Sequence, residues 1–216
     1  MGMKPVVLYH NDRASKTRRD ILRIAVDIAS AEGLERLSIG RLAAELKMSK
    51  TGIFAHFGSK QQLQLATVDA AKQIFLEQVV QPSLRHPRGI ARLRAMLENW
   101  IGYVERIVFR GGCFFAAASA EFDSRPGAVR DEIARLTKDW VRALQDEIIF
   151  GRAAKEISSS GHTVQLAFEL HAYVQEANWA FKLFNDKSAF SHARQAIADS
   201  LAAVSRKPNR KMERRN

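Results

Sequence analysis

Apolar residues recur at three- and four-residue spacing along nearly the whole chain, which is the signature of amphipathic helices. Ile21, Ile24, Ala25 and Ile28 share one face of a first helix, expected to start near Thr17 with Asp20 as its capping partner. Gly33 followed by Leu34 reads as its left-handed stop. Ser38 then caps a short helix that turns Ile39, Leu42, Ala43 and Leu46 inward. Lys47-Met48-Ser49 forms a turn, Ser49 caps another short helix to about His56, and Gly58 breaks it. Ser59 with Gln62 opens a longer helix to about Val80, where Pro82 ends it. Further helices are expected over about 89–108, 113–122, from 126 onward, 163–184 and 188–204. There are only five prolines, and no run of alternating β-branched residues interrupts this pattern. The prediction is an all-α chain of about nine helices: an arm at 1–14, a three-helix head at 15–60, a larger helical part at 61–204 and a tail at 205–216.

The last two helices differ from the others. The one at 163–184 is apolar on two faces, one carrying Leu166, Leu170, Tyr173, Ala177, Phe181 and Phe184, the other Val164, Phe168, His171 and Trp179. A helix apolar on both sides is buried on both sides. The final helix carries a row of small residues, Ala189, Ala193, Ala196, Ser200 and Ala203. We read the pair as core on one side and subunit interface on the other. The candidate contacts are Leu170, Tyr173, Ala177, Phe181, Ala189, Ala193, Ala196 and Ser200; a larger monomeric core is the alternative.

Charge changes the picture. The 216 residues hold 34 Lys and Arg against 23 Asp and Glu, a formal charge of +11. Such an excess points to a polyanionic partner and says nothing about fold. It is not spread evenly. Residues 1–60 hold 11 basic and 6 acidic groups, residues 61–204 hold 17 and 16, and residues 205–216 hold 6 and 1. A basic head and a basic tail flank a neutral body. The tail, Arg206 to Arg215, has the composition of a disordered segment. It either adds nonspecific phosphate attraction or only solubilises the chain. One cysteine excludes an internal disulfide, and no apolar run approaches the roughly 18 residues that span a bilayer. A cytoplasmic protein is expected.

The segment from Ser38 to Phe57, two short helices joined by a tight turn, is a helix-turn-helix pattern. From Ser49 to Lys60 there is no Asp or Glu, while Lys50, His56 and Lys60 are present. Ser49, Lys50, Thr51 and Gly52 sit at the N-terminus of the second helix, where small polar side chains reach base edges and the helix dipole favours phosphate. Gly52 costs roughly 1 kcal/mol within a helix, and close approach to a duplex is one reason to retain it.

Residues from Thr17 to about Val68 resemble the DNA-binding domain of the TetR family of transcriptional regulators. The resemblance is carried by Ile21, Ala25 and Ala29, Glu32-Gly33, Ser38-Ile39, Leu42-Ala43, the run from Met48 through Lys60, and Leu63. It implies a homodimeric, mostly repressing regulator whose C-terminal helical domain binds a small molecule and thereby releases the operator. On this basis Ser49, Lys50, Thr51 and Gly52 are expected to read bases, and Arg18, Ser38, Arg41, His56 and Lys60 to hold phosphates. Ile53 either touches a thymine methyl or belongs to the core. The family usually has Gly where Lys47 stands. It usually has Tyr where Phe54 stands, so Phe54 is expected to keep the packing and lose a phosphate hydrogen bond. Candidates for lining an effector cavity are Trp100, Cys113, Phe114, Phe115, Trp140, Phe168 and His171, each of which serves equally as ordinary core. Cys113, after Gly111-Gly112 at a helix N-terminus, is either a redox or electrophile switch or a small buried hydrophobe.

Catalysis has little support. The sequence holds no Walker loop, GxGxxG, GxSxG or HExxH, and its six histidines are scattered, so no metal and no cofactor are expected. Three readings follow: an effector-responsive repressor, a DNA-binding protein of the same fold with a structural or protein-partner role and no effector, and a helical enzyme.

Overall fold

The structure, a computed structural model, describes residues 9–158 and 162–205. The expected basic tail after Ser205 and the first eight residues of the expected arm lie outside the described residues. The described residues form nine helices of eight residues or more, with no strand and a single isolated β-bridge between Ile157 and Ser205. In chain order they are α1 (Tyr9–Glu32), α2 (Ile39–Leu46), α3 (Lys50–Phe57), α4 (Lys60–Phe75), α5 (Ile90–Glu105), α6 (Phe114–Phe122), α7 (Ala128–Ala153), α8 (Thr163–Phe184) and α9 (Ser188–Val204). The all-α expectation is met.

Two element boundaries depart from the pattern. α1 begins at Tyr9 rather than near Thr17, so six residues of the expected arm are helical. Those residues lack apolar periodicity, which is why the pattern did not include them. After α4 the chain does not stop at Pro82. It widens into a π-helical turn over Leu76–Val80 and closes with one more α-turn, Gln81–Ser83. Pro82 occupies the first positions of that last turn, where a missing N–H costs little.

The helices gather into two compact units, each formed from two stretches of chain. The first comprises the described residues up to 74 and 107–136. Its buried set includes Ile21, Ala25, Leu34, Leu37, Leu42, Ile53, Leu63 and Phe114. The second comprises residues 75–106 and the described residues from 137 to 205. There the buried set includes Leu93, Leu97, Trp100, Leu144, Leu170, Val174, Phe190 and Leu201. A buried carboxylate steadies this second unit. Glu147 accepts hydrogen bonds from Arg88 Nε (3.1 Å) and from the backbone N–H of Gly89 (2.8 Å), whose φ of +97° suits glycine.

Candidate nucleic-acid interface

The head is organised by its caps. Ser38 Oγ accepts from the Arg41 N–H at 3.1 Å and starts α2. α2 ends at Lys47, whose left-handed conformation (φ 53°, ψ 37°) turns the chain and sends its N–H back to Ala43 and Ala44. Two residues later Ser49 Oγ accepts from the Gly52 N–H at 3.0 Å and starts α3. Gly58, at φ +72°, closes α3 by donating to the Phe54 carbonyl at 2.8 Å. Ser59 Oγ then caps α4 through the Gln62 N–H. One sequence signal thus sets each end of the two short helices.

The turn fixes which side of α3 faces out. Ile53 is 0% exposed and Phe57 is also buried, whereas Phe54 is 53% exposed. Lys50, Thr51 and Ala55 are exposed with Phe54; Gly52 and His56 are half-buried. Burial favours one of the two alternatives for Ile53 and changes the expectation for Phe54. Ile53 is core and offers no side chain to a base, because it points along the buried stripe with Leu42 and Phe57. Phe54 does not keep a packing role, because it lies on the opposite side. Ala55 joins the outward face, and helical spacing from Thr51 was the signal that could have found it. A Cβ on Gly52 would lie 3.1 Å from the capping Ser49 Oγ, so the glycine leaves that cap undisturbed.

The candidate phosphate ligands are engaged within the head. The Arg41 guanidinium forks onto Glu32, with Nε–Oε2 at 2.9 Å and Nη2–Oε1 at 2.6 Å, and reaches Glu45 at 2.8 Å. That pairing holds the Glu32 carboxyl below its ordinary range and pushes the Arg41 guanidinium up. Lys60 Nζ donates to Glu35 at 2.6 Å and Gln64 to the other Glu35 oxygen at 3.1 Å, which lowers the Glu35 carboxyl. Arg18 lies over the Phe57 ring, 4.7 Å from its centroid. These cations sit in one unit with α3, and a phosphate must compete with carboxylates for Arg41 and Lys60.

Sequence reading missed what anchors the head. The Glu121 carboxylate on α6 accepts from the N–H groups of Leu34 (2.7 Å) and Glu35 (3.1 Å). Asp27 accepts from Arg110 N (2.9 Å) and Nε (2.6 Å), and Ser30 Oγ accepts from the Gly111 N–H at 3.1 Å. Gly111 permits this approach, since a Cβ there would lie 1.8 Å from the Ser30 carbonyl oxygen. These pairs join residues more than 80 positions apart, and no local pattern marks them.

The candidate cavity residues separate into two sets. In the second unit Trp100 stands edge-on to Trp140 (ring centroids 5.5 Å apart), with His171 at 5.2 Å from Trp100. Phe75 and Tyr103, which the sequence did not single out, complete this cluster, with Phe75 4.9 Å from Trp140 and 5.8 Å from Tyr103. Burial pushes the His171 imidazole below its ordinary range, so it is neutral near pH 7. The indole Nε1 atoms of Trp100 and Trp140 are buried with no hydrogen-bond partner among the described residues. Cys113, Phe114 and Phe115 belong to the first unit, where Phe114 stands edge-on to Phe115 at 5.4 Å. Cys113 precedes α6 as expected but is 1% exposed, which favours the buried-hydrophobe reading over a thiol open to oxidants. Phe168 is 66% exposed on α8 and lines no interior space, so that expectation is corrected. No group of three or more His, Cys, Asp or Glu side chains that could hold a metal occurs among the described residues.

The candidate dimer residues also divide. Leu170 and Phe181 are buried within the chain, Phe181 against Phe190 at 4.9 Å, so they are core rather than contact. Tyr173, Ala177, Ala189, Ala193 and Ala196 line a shallow groove of about 290 Å³ between α8 and α9. Tyr173 Oη and Ser200 Oγ lie 3.2 Å apart and span the two helices. α8 also leaves Val164, Phe168 and Trp179 of its second apolar face exposed, together with Leu183 and Phe184.

A family model described as "Bacterial regulatory proteins, tetR family" matches residues 21–67, and one described as "Tetracyclin repressor-like, C-terminal domain" matches residues 89–197. The chain belongs to the TetR family. It is a TetR-family transcriptional regulator, and such regulators are not enzymes. The HTH-type transcriptional regulator TcmR of Streptomyces glaucescens is 22% identical over 191 residues, covering 86% of this chain and 83% of that protein. A TetR transcriptional regulator from Chloroflexus aurantiacus J-10-FL superposes with a TM-score of 0.80 at 22% identity, over 91% of this chain and 99% of its own. AibR, solved in complex with isovaleryl coenzyme A and operator DNA, superposes with a TM-score of 0.66 at 23% identity, over 87% and 97%. The fold of this TetR-family chain is thus shared along most of its length. No helix among the described residues is long and apolar enough to cross a membrane.

Proposed function

We propose that this TetR-family chain is a homodimeric cytoplasmic repressor that holds a palindromic operator and releases it when a small molecule binds its larger helical part. The observation that carries this reading is the outward, acid-free face of α3, with Lys50 and Thr51 beside the capped helix N-terminus. A carboxylate-free surface meets the phosphate-lined groove without repulsion, and Thr51 and Lys50 reach base edges. By position, Ser38, Arg18 and His56 flank that face, while Arg41 and Lys60 exchange a carboxylate for a phosphate on binding. The functional division is a DNA-reading head at 15–60 and an effector-binding and dimerising part at 61–204.

Dimerisation is supported by the exposed row on α8. Val164, Phe168, Trp179 and Leu183 recur at helical spacing, and the alanine-lined groove between α8 and α9 leaves room for a partner's side chains. Exposed apolar side chains along one helix mark an interaction surface, and a two-fold contact lets the same row meet itself. Effector binding is supported by the Trp100–Trp140–His171 cluster, whose two buried indole donors are left for an acceptor on the ligand. AibR, which shares the fold, binds an acyl coenzyme A as well as operator DNA.

Selecting bound fragments from genomic DNA and footprinting one of them tests the reading. Two protected half-sites related by a dyad, about one helical turn or a multiple of it apart, are expected. A footprint without symmetry contradicts the dimer. Occupancy that no extract or metabolite pool lowers contradicts effector release.

A further inference from the structure

We propose that the reading face of α3 recognises thymine methyl groups through Phe54 and Ala55, so that A·T pairs at the steps these side chains cover set operator preference. This rests on the DNA-binding reading above and adds to it what is read. The outward face of α3 consists of Lys50, Thr51, Phe54 and Ala55, which fall on one side of an eight-residue helix. Two of these four are hydrocarbon only. The residues between and before them add little side chain to that face. Ser49 Oγ is engaged by the Gly52 N–H, Gly52 has no side chain, and Ile53 is buried. The Lys50 stem runs beside Gly40, where an added Cβ would lie 3.6 Å from Lys50 Cε.

In the major groove every base edge offers hydrogen-bond donors or acceptors, and thymine alone adds a methyl. A phenyl ring and an alanine methyl that displace water from a guanine or cytosine edge leave its polar atoms without partners, which is unfavourable. Against thymine C5-methyl the same groups bury hydrocarbon on hydrocarbon. Phe54 is more than half exposed in the chain by itself, so this contact requires no repacking of the head.

The test uses the full-length protein and the duplex it selects from genomic DNA. Each half-site thymine is replaced in turn by deoxyuridine, which removes only the methyl. Binding is expected to weaken about four-fold at each methyl that Phe54 or Ala55 covers, from the burial of roughly one methyl group. Thymines elsewhere are expected to be silent. In Phe54→Ala, with its fold verified by circular dichroism, the deoxyuridine penalty at the ring's position is expected to fall below two-fold. Ala55→Gly is expected to do the same at the neighbouring position. Half-sites of deoxyuridine that bind as tightly as thymine overturn the proposal, as does a penalty that both variants retain in full. A chain that selects no duplex at all overturns the DNA-binding reading itself, which separates the two failures.

Discussion

Ile53 and Phe54 are neighbours in sequence and face opposite ways, so truncating each to alanine separates packing from recognition. Ile53 is fully buried with Leu42 and Phe57 in the first unit. Ile53→Ala removes buried hydrocarbon and leaves a cavity, at a cost of about 2–5 kcal/mol. Phe54→Ala removes an exposed ring and is expected to change stability by about 0.5 kcal/mol or less. The chain has two compact units, so a single melting temperature mixes them, and amide hydrogen exchange on peptides spanning residues 38–57 is the better readout. A loss of about 3 kcal/mol lowers protection there by roughly a hundredfold; Ile53→Val, at about 0.5–1.5 kcal/mol, lowers it by about two- to thirteen-fold. Operator binding should follow stability for the Ile53 variants and fall without any loss of protection for Phe54→Ala. If Ile53→Ala keeps full protection and loses the operator, Ile53 reads DNA and the face assignment is wrong.

Three further outcomes are expected. Lys47→Gly, at the left-handed turn between α2 and α3, should stabilise the head by about 0.5–1 kcal/mol, read by urea unfolding; destabilisation would show that the turn needs the lysine side chain. Glu35→Gln releases Lys60 and should tighten operator binding about two- to five-fold at low salt, a gain that fades as salt rises; unchanged affinity would remove Lys60 from the phosphate contacts. His171 has its pKa lowered by burial, so below about pH 6.5 the unfolded chain takes up a proton that the folded chain resists. Stability should therefore fall as pH drops through that range. His171→Gln should flatten this part of the profile, and an unaltered profile would show that His171 does not contribute to it.

Much of the fold was legible because helix ends carry local chemistry. Ser38, Ser49 and Ser59 start their helices through the bonds their position implies, and α8 and α9 span the ranges expected from periodicity. What the pattern could not assign is direction. α3 offers apolar residues on both sides within eight positions, and only the tertiary fold puts Ile53 inside and Phe54 outside. α8 is apolar on two faces for the same reason, and the face chosen from sequence as contact proved to hold Leu170 and Phe181 in the core. Phe168, grouped with the cavity, lies on the exposed row instead. The ties from Glu121, Asp27 and Ser30 to distant backbone had no sequence signal, because each is a single polar residue whose partner is set by the fold.

On the reading proposed above, α3 is the element that reads duplex DNA. The most direct measurement is a titration of the selected operator duplex and a scrambled duplex of equal length, with the native protein and with a Lys50→Ala, Thr51→Ala double variant. The native protein should prefer its operator by about a thousandfold or more, and the variant should lose most of that preference while retaining the native circular dichroism spectrum. A variant that discriminates the two duplexes as well as the native protein would refute base reading by α3.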